Sequence, residues 1–155
     1  RHRQQGQQHG ADQAAAQLVD PRGQRDGLVP GDGQRQRAIA DRYQRAIGDV
    51  AGLRAVTDPE YGTGNFQSFW VEVGDEYPTD RDGLLEALAN ADISARRGIM
   101  ASHRQPPYRA LTPEGGLPVT ERLNENTLIL PVFHQLTEED QDRVIAVLRA
   151  PIEAA

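Results

Sequence analysis

The chain has 155 residues, a formal net charge of −6 and no cysteine, so it suits a single domain without disulfides or thiolate metal ligands. Its 17 basic residues are all arginine, and the lack of lysine excludes a phosphate-binding P-loop and a Schiff base on a side-chain amine. Its acidic balance and short apolar runs predict no nucleic-acid partner, no membrane span and no signal peptide, and favour a soluble, cytoplasmic protein.

Residues 1–36 differ in composition from the rest of the chain. Glutamine, glycine and arginine supply 20 of these 36 positions, and the segment has no aromatic residue and no clear hydrophobic period. Such a segment buries too little apolar surface to offset the entropy lost on ordering. We therefore expect residues 1–36 to be disordered and residues 37–155 to form the ordered domain.

The predicted elements begin after this segment. In chain order they are a helix in "RAIADRYQRAIGDV", a short strand in "GLRAV", a strand in "FQSFWVEV", a helix in "TDRDGLLEALANAD", a strand in "ISARRGIMA", the irregular stretch "SHRQPPYRALTPEGGLPV", a short helix in "TERLNEN", a strand in "TLILPVF" and a last helix from "LTEED". Helical spacing of apolar residues, alternation, and the capping residues Thr79 and Thr137 support these assignments.

This order predicts the α+β class, with a small mixed or antiparallel sheet and helices on one face. The second face of such a sheet is expected to be apolar and to require a covering partner. Trp70 and Met100 are the predicted members of that face, although both also fit an ordinary core.

The stretch "ISARRGIMASHRQPPYR" concentrates the residues that could bind a ligand. Arg96 and Arg97 are consecutive on a predicted strand, so only one of them can face a given site. Arginine recognises carboxylates and phosphates, and His103 and Tyr108 add a titratable ring and a hydroxyl. Three interpretations remain open: a solvated edge, a site for an anionic ligand, or part of a site whose other half lies elsewhere.

Other site types have little support in the sequence. His2, His9, His103 and His134 have no metal-binding spacing, so no metal site is predicted. No nucleophile motif occurs, and "GTG" at residues 62–64 is better explained as a flexible turn than as a phosphate loop.

A series of short motifs resembles the C-terminal part of the DegT/DnrJ/StrS sugar aminotransferase family. In order they are "RQRAIADRYQRAI", "NFQSFWVEV", "RDGLLEAL", "DISARRGIMASHRQPPY", "LPVTERL" and "LILPVFHQLTEEDQDRVI". Each motif is weak, but the ordered set is quite specific. Gly98 stands where the commoner form of the fourth motif has its first histidine, so the role of that histidine does not transfer, whereas His103 matches the second.

The resemblance implies the C-terminal domain of a fold-type I pyridoxal-phosphate enzyme, in which this domain helps to bind a nucleotide-linked keto-sugar. It implies that Arg96 or Arg97, His103 and Tyr108 lie on the substrate side, and that the full enzyme is a homodimer using an amino donor such as glutamate. In that family a lysine holds the cofactor and moves the proton. This chain has no lysine, so no catalytic or cofactor-binding residue is predicted and the chain alone is expected to be inactive and to bind no cofactor.

Alternatives remain for the function and for residues 1–36. The chain could be a non-catalytic binding or regulatory module derived from that domain, or a non-functional gene remnant. Residues 1–36 fit the family pattern poorly, which suggests either a reading-frame error upstream of Arg37 or a divergent tail.

Overall fold

The computed structural model describes residues 32–98 and 100–150, and the expectations for residues 1–31 lie outside the described residues. The chain divides into Arg1–Asp32 and Gly33–Ala155. Among the described residues, the predicted elements appear in the predicted order. They are α1 (Asp32–Ile47), β1 (Leu53–Ala55), β2 (Phe69–Val73), α2 (Arg81–Asn90), β3 (Arg96–Arg97), two 3-10 turns (Ser102–Arg104 and Pro106–Leu111), α3 (Pro118–Asn126), β4 (Thr127–Leu130) and α4 (Glu138–Arg149).

The four strands of the described residues form one antiparallel sheet in the order β1-β2-β4-β3. β2 and β4 occupy its centre, with Phe69 opposite Leu130 and Val71 opposite Leu128. The α+β class predicted from the sequence is confirmed, and the sheet is antiparallel rather than mixed. β3 is shorter than the predicted strand in "ISARRGIMA", and Met100 follows it as an exposed residue.

One face of the sheet carries the hydrophobic core. Its members share near-complete burial and come from β2, β4 and three helices: Ile39, Tyr43, Ile47, Phe69, Val71, Val73, Leu84, Leu88, Leu128, Leu130, Val144 and Leu148. Burying one such side chain contributes about 1.5–3 kcal/mol. α1, α2 and α4 therefore cover this face, as the apolar stripes of the sequence predict.

Side chains at the helix ends explain where two of these helices begin. At α4, Thr137 and Asp140 form a capping box, in which the Thr137 hydroxyl accepts from the Asp140 N–H at 3.1 Å. At α2 the predicted cap is wrong, because the N-cap is Asp80 and not Thr79. The Asp80 carboxylate accepts from the Gly83 N–H at 2.8 Å, which satisfies one of the donors left unpaired at a helix start.

The second face of the sheet is not the apolar surface that the sequence predicts. Residues that alternate with the core positions lie on it. Four of them are polar, Arg54, Glu72, Arg96 and Thr127, and two are apolar, Trp70 and Ile129. The short helix α3 packs over part of this face against β2. No helix in the described part of the chain is long and apolar enough to cross a bilayer.

Candidate functional site

The two arginines of β3 point to opposite faces of the sheet, as consecutive strand residues must. Arg97 is paired with Leu128, on the core face, and its guanidinium forms an ion pair with Asp82 at 2.8 Å. Arg96 is paired with Ile129, on the second face, and is exposed. Within residues 32–98 and 100–150 the Arg96 guanidinium makes no hydrogen bond or ion pair. Arg96 is therefore the arginine of β3 that is available to a ligand.

Arg96 lines an open cleft of about 560 Å³ at one end of the sheet. Residues 92–96 form one wall, and residues 129–133, which leave β4, form another. The beginning of α4 contributes Asp140 and Arg143, and the Arg143 guanidinium is already bound to the Ala91 carbonyl at 2.9 Å. Apolar residues of 129–133 and the polar residues Ser68, Asp92 and Ser94 line the cleft together, and the unpaired Arg96 guanidinium suits a ligand that has an anionic group.

His103 lies in the irregular segment between β3 and α3 and is not exposed like Arg96. Its side chain is only 10% exposed, and its Nε2 atom lies 2.9 Å from Glu121 Oε1. The His103 carbonyl accepts from the Thr112 hydroxyl at 3.1 Å, which draws the two 3-10 turns together. The local hydrogen bonds of this segment therefore hold the ring against α3.

Three hydrogen-bond donors of this segment bind the Glu121 carboxylate. Besides His103, it accepts from the Leu117 N–H at 3.1 Å and from the Arg104 guanidinium at 3.0 Å. The hydrogen bond from Leu117, those from His103 and Arg104, and the charge of Arg104 lower the pKa of Glu121 to about 2. Glu121 is thus ionised at neutral pH and accepts from all three donors.

Tyr108 lies in the second 3-10 turn and is 53% exposed. Its backbone N–H donates to the Gln105 carbonyl at 2.9 Å, and among the described residues its hydroxyl has no hydrogen-bond partner. Neither His103 nor Tyr108 lines the cleft beside Arg96. The four residues predicted to bind a ligand therefore lie apart. Arg96 lines the cleft and Arg97 pairs with Asp82, whereas His103 is bound to Glu121 and Tyr108 lies on an exposed turn.

Gly98, which occupies the place of a histidine in the commoner motif, has a steric reason to be glycine. A Cβ atom there would lie 2.9 Å from Cζ3 of Trp70 and would collide with the Thr127 hydroxyl oxygen. The Gly98 N–H donates to the Thr127 carbonyl at 3.0 Å, which extends the β3–β4 pairing. No side chain fits at this position while Trp70 and Thr127 keep their places.

Sequence reasoning missed a second cleft, of about 420 Å³, on the second sheet face. Trp70, Leu123 and Thr127 line it together with Glu72. Glu72 is buried and forms ion pairs with Arg54 of β1 and Arg122 of α3. The available signal was Glu72, a charged residue on the otherwise apolar strand β2. Across the described ranges, no group of three histidine or carboxylate side chains could hold a metal ion.

Comparisons with known proteins give a consistent result. A model of the DegT/DnrJ/EryC1/StrS aminotransferase family matches residues 31–149. The aminotransferase TlmJ from Streptoalloteichus hindustanus is 30% identical, with a TM-score of 0.65 over 75% of this chain and 30% of its own. A DegT/DnrJ/EryC1/StrS aminotransferase from Brucella abortus is 29% identical, with a TM-score of 0.65 over 76% of this chain and 30% of its own.

A third similar structure has a named ligand. DesI, solved in the presence of its TDP-sugar product, is 28% identical, with a TM-score of 0.67 over 76% of this chain and 30% of its own. The present chain thus spans less than a third of the length of each of these proteins.

Proposed function

Because this chain belongs to the DegT/DnrJ/EryC1/StrS aminotransferase family, we propose that it is the C-terminal, substrate-binding portion of an enzyme that transfers an amino group to a nucleotide-linked keto-sugar. The observation that carries the proposal is the match over residues 31–149, combined with coverage of only about 30% of the similar solved structures. We further propose an amino donor such as glutamate, a homodimeric full enzyme and a cytoplasmic location.

The residues of this chain do not fit the covalent attachment of pyridoxal phosphate, the cofactor that we propose for the full enzyme. That cofactor acts as an electron sink for the carbanion chemistry of transamination and is attached through a lysine. The chain has no lysine, and neither described cleft can therefore supply the amine. We propose that other residues of the full enzyme hold the cofactor and move the proton, and that this chain alone is inactive.

The proposed contribution of this chain is recognition of the substrate. Arg96 offers an unpaired guanidinium to a cleft that both apolar and polar residues line, and a guanidinium suits a diphosphate or carboxylate group. Arg97 is engaged by Asp82 and faces the helices, so of the two arginines Arg96 is proposed to bind. His103 and Tyr108 lie in the segment that follows and are proposed to hydrogen-bond the sugar.

A chimera tests the proposal on a complete enzyme. Residues 31–149 of this chain would replace the corresponding segment of DesI, and formation of the TDP-sugar product of DesI would be measured. We expect the chimera to make that product and the 155-residue chain, supplied with pyridoxal phosphate and glutamate, to make none.

Arginine variants of the chimera test the site assignment. Arg96→Gln should raise the KM for the TDP-sugar substrate about 10- to 100-fold, because a charge-assisted hydrogen bond contributes about 1.5–3 kcal/mol. Arg97→Gln is the matched control and should change KM less than about twofold, because its partner is Asp82.

Two outcomes would contradict the proposal. A folded chimera that holds pyridoxal phosphate but makes no product would remove the aminotransferase role. Equal effects of the Arg96 and Arg97 substitutions would remove the assignment of Arg96. If the 155-residue chain alone bound a TDP-sugar while the chimera stayed inactive, a non-catalytic binding module would be the better description.

A further inference from the structure

We propose that Glu121 is a positioning residue that holds both ends of the segment 103–117 and fixes the His103 ring with Nδ1 as the hydrogen-bond acceptor for the ligand. The role of His103 toward a ligand rests on the proposed function. The closure of the segment and the state of the ring do not, and they are measured without substrate or cofactor.

The first argument is that one carboxylate binds the two ends of the segment. Glu121 Oε1 accepts from His103 Nε2 at 2.9 Å and from the Leu117 N–H at 3.1 Å, although these two donors are 14 positions apart in the chain. Glu121 Oε2 accepts from Arg104 at 3.0 Å. Since holding the ends of a loop together opposes its conformational entropy, the loss of this one side chain should loosen the closure of the segment.

The second argument is that the backbone leaves room for this carboxylate. Gly116 has φ +73, a conformation that favours glycine, and a Cβ atom there would lie 2.8 Å from Glu121 Oε1. The Gly116 N–H donates to the Pro113 carbonyl at 3.0 Å, which closes the turn that brings Leu117 to Glu121. The glycine pair before α3 thus makes space for the interaction.

The third argument fixes the state of the His103 ring. An ionised carboxylate only accepts hydrogen bonds, so the His103 Nε2 atom beside Glu121 must carry the hydrogen. In a neutral imidazole the other nitrogen is then an acceptor. When the ring is neutral, Nδ1 of His103 can therefore accept from a hydroxyl or amino group of a ligand, and a substrate group that only accepts hydrogen bonds is disfavoured there.

Trypsin tests the closure of the segment, because Arg104 and Arg109 lie inside it. In the full 155-residue chain, Glu121→Ala should speed cleavage after Arg109 about tenfold, since it removes three hydrogen bonds to a charged group. The control is Glu125→Ala, which removes only the second partner of Arg104, at 2.6 Å, and should change the rate less than about twofold. Glu121→Gln keeps an acceptor oxygen and should give an intermediate rate.

Nitrogen-15 NMR tests the ring, with the His103 signal identified by its loss in His103→Gln. In spectra of the neutral ring, the wild type should show His103 with hydrogen on Nε2 alone, and Glu121→Ala should show a mixture of both neutral forms. Hydrogen on Nδ1 in the wild type would overturn the proposal, and so would equal cleavage rates for Glu121→Ala and Glu125→Ala. If Glu121→Ala does not fold, Glu121→Gln decides: wild-type cleavage with a wild-type ring signal would overturn it.

Discussion

Replacing Arg54 and Arg122 together by methionine is expected to destabilise the domain more than replacing Glu72 by glutamine, although both changes remove the same two ion pairs. The reason is an asymmetry in burial. The Glu72 side chain is 11% exposed, whereas those of Arg54 and Arg122 are 68% and 48% exposed. After loss of Glu72 the arginines return to water, but after loss of the arginines Glu72 remains a buried charge without its two ion-pair partners.

The structure sets the size of each effect. Glu72→Gln removes two charge-assisted contacts to solvated partners, so it should cost about 1–2 kcal/mol. In the double variant, methionine replaces the aliphatic part of each arginine, but the buried Glu72 carboxylate loses both ion-pair partners. This should lower the free energy of unfolding by about 3–5 kcal/mol. Replacing only Arg54 or only Arg122 by methionine leaves the other arginine paired with Glu72. Each single variant should therefore lower the free energy of unfolding by about 1 kcal/mol or less.

Urea unfolding followed by Trp70 fluorescence measures these differences, because Trp70 is the sole tryptophan and lies on the same sheet face as Glu72. The free energies of unfolding would be compared among variants with equal denaturant slopes. A cost for Glu72→Gln that equals or exceeds that of the double variant would refute the reasoning, because burial would then not decide which partner matters. The single arginine variants serve as controls for lost packing.

Three further changes have expected outcomes of different kinds. Thr137→Ala should lower the free energy of unfolding in urea by about 1 kcal/mol, because it removes the capping box with Asp140, and an unchanged midpoint would contradict that role. Leu88→Ala should lower the free energy of unfolding by about 2–5 kcal/mol, since Leu88 is fully buried. Leu85→Ala should lower it less, because Leu85 is half-buried, and a larger effect at Leu85 would contradict this assignment of the core. The pKa of Glu121 is lowered from 4.5 to about 2, so its contribution is present above pH 4.5 and is lost as pH falls toward about 2. The difference in urea midpoint between wild type and Glu121→Gln should shrink over that range, and a constant difference would contradict the assignment.

Features with local signals were predicted well from the sequence. The N-cap at Thr137 follows from a capping residue placed directly before acidic residues, and the stripe of Ile39, Tyr43 and Ile47 follows from the helical period. The opposite orientation of Arg96 and Arg97 follows from strand geometry alone, and the pairing with Ile129 and Leu128 confirms it.

Features that depend on distant partners were not predicted. Glu72 is buried because β1 and α3 each bring an arginine to it, from positions 18 and 50 residues away. Glu121 was not singled out, because its donors His103 and Leu117 lie in an irregular segment with no periodic pattern. Thr79 and Asp80 are both good capping residues, and only the backbone conformation at Asp80 decides between them.

The two outer strands of the sheet have a consequence for how this protein avoids fibre-like association. β1 has three residues and β3 has two, and each carries an exposed arginine, Arg54 on one edge and both Arg96 and Arg97 on the other. Short edges that carry charged side chains offer few unpaired backbone groups, so they are poor templates for strand addition. Contacts with other polypeptides should therefore be made through side chains on the faces and loops, which leaves the register of the sheet unchanged.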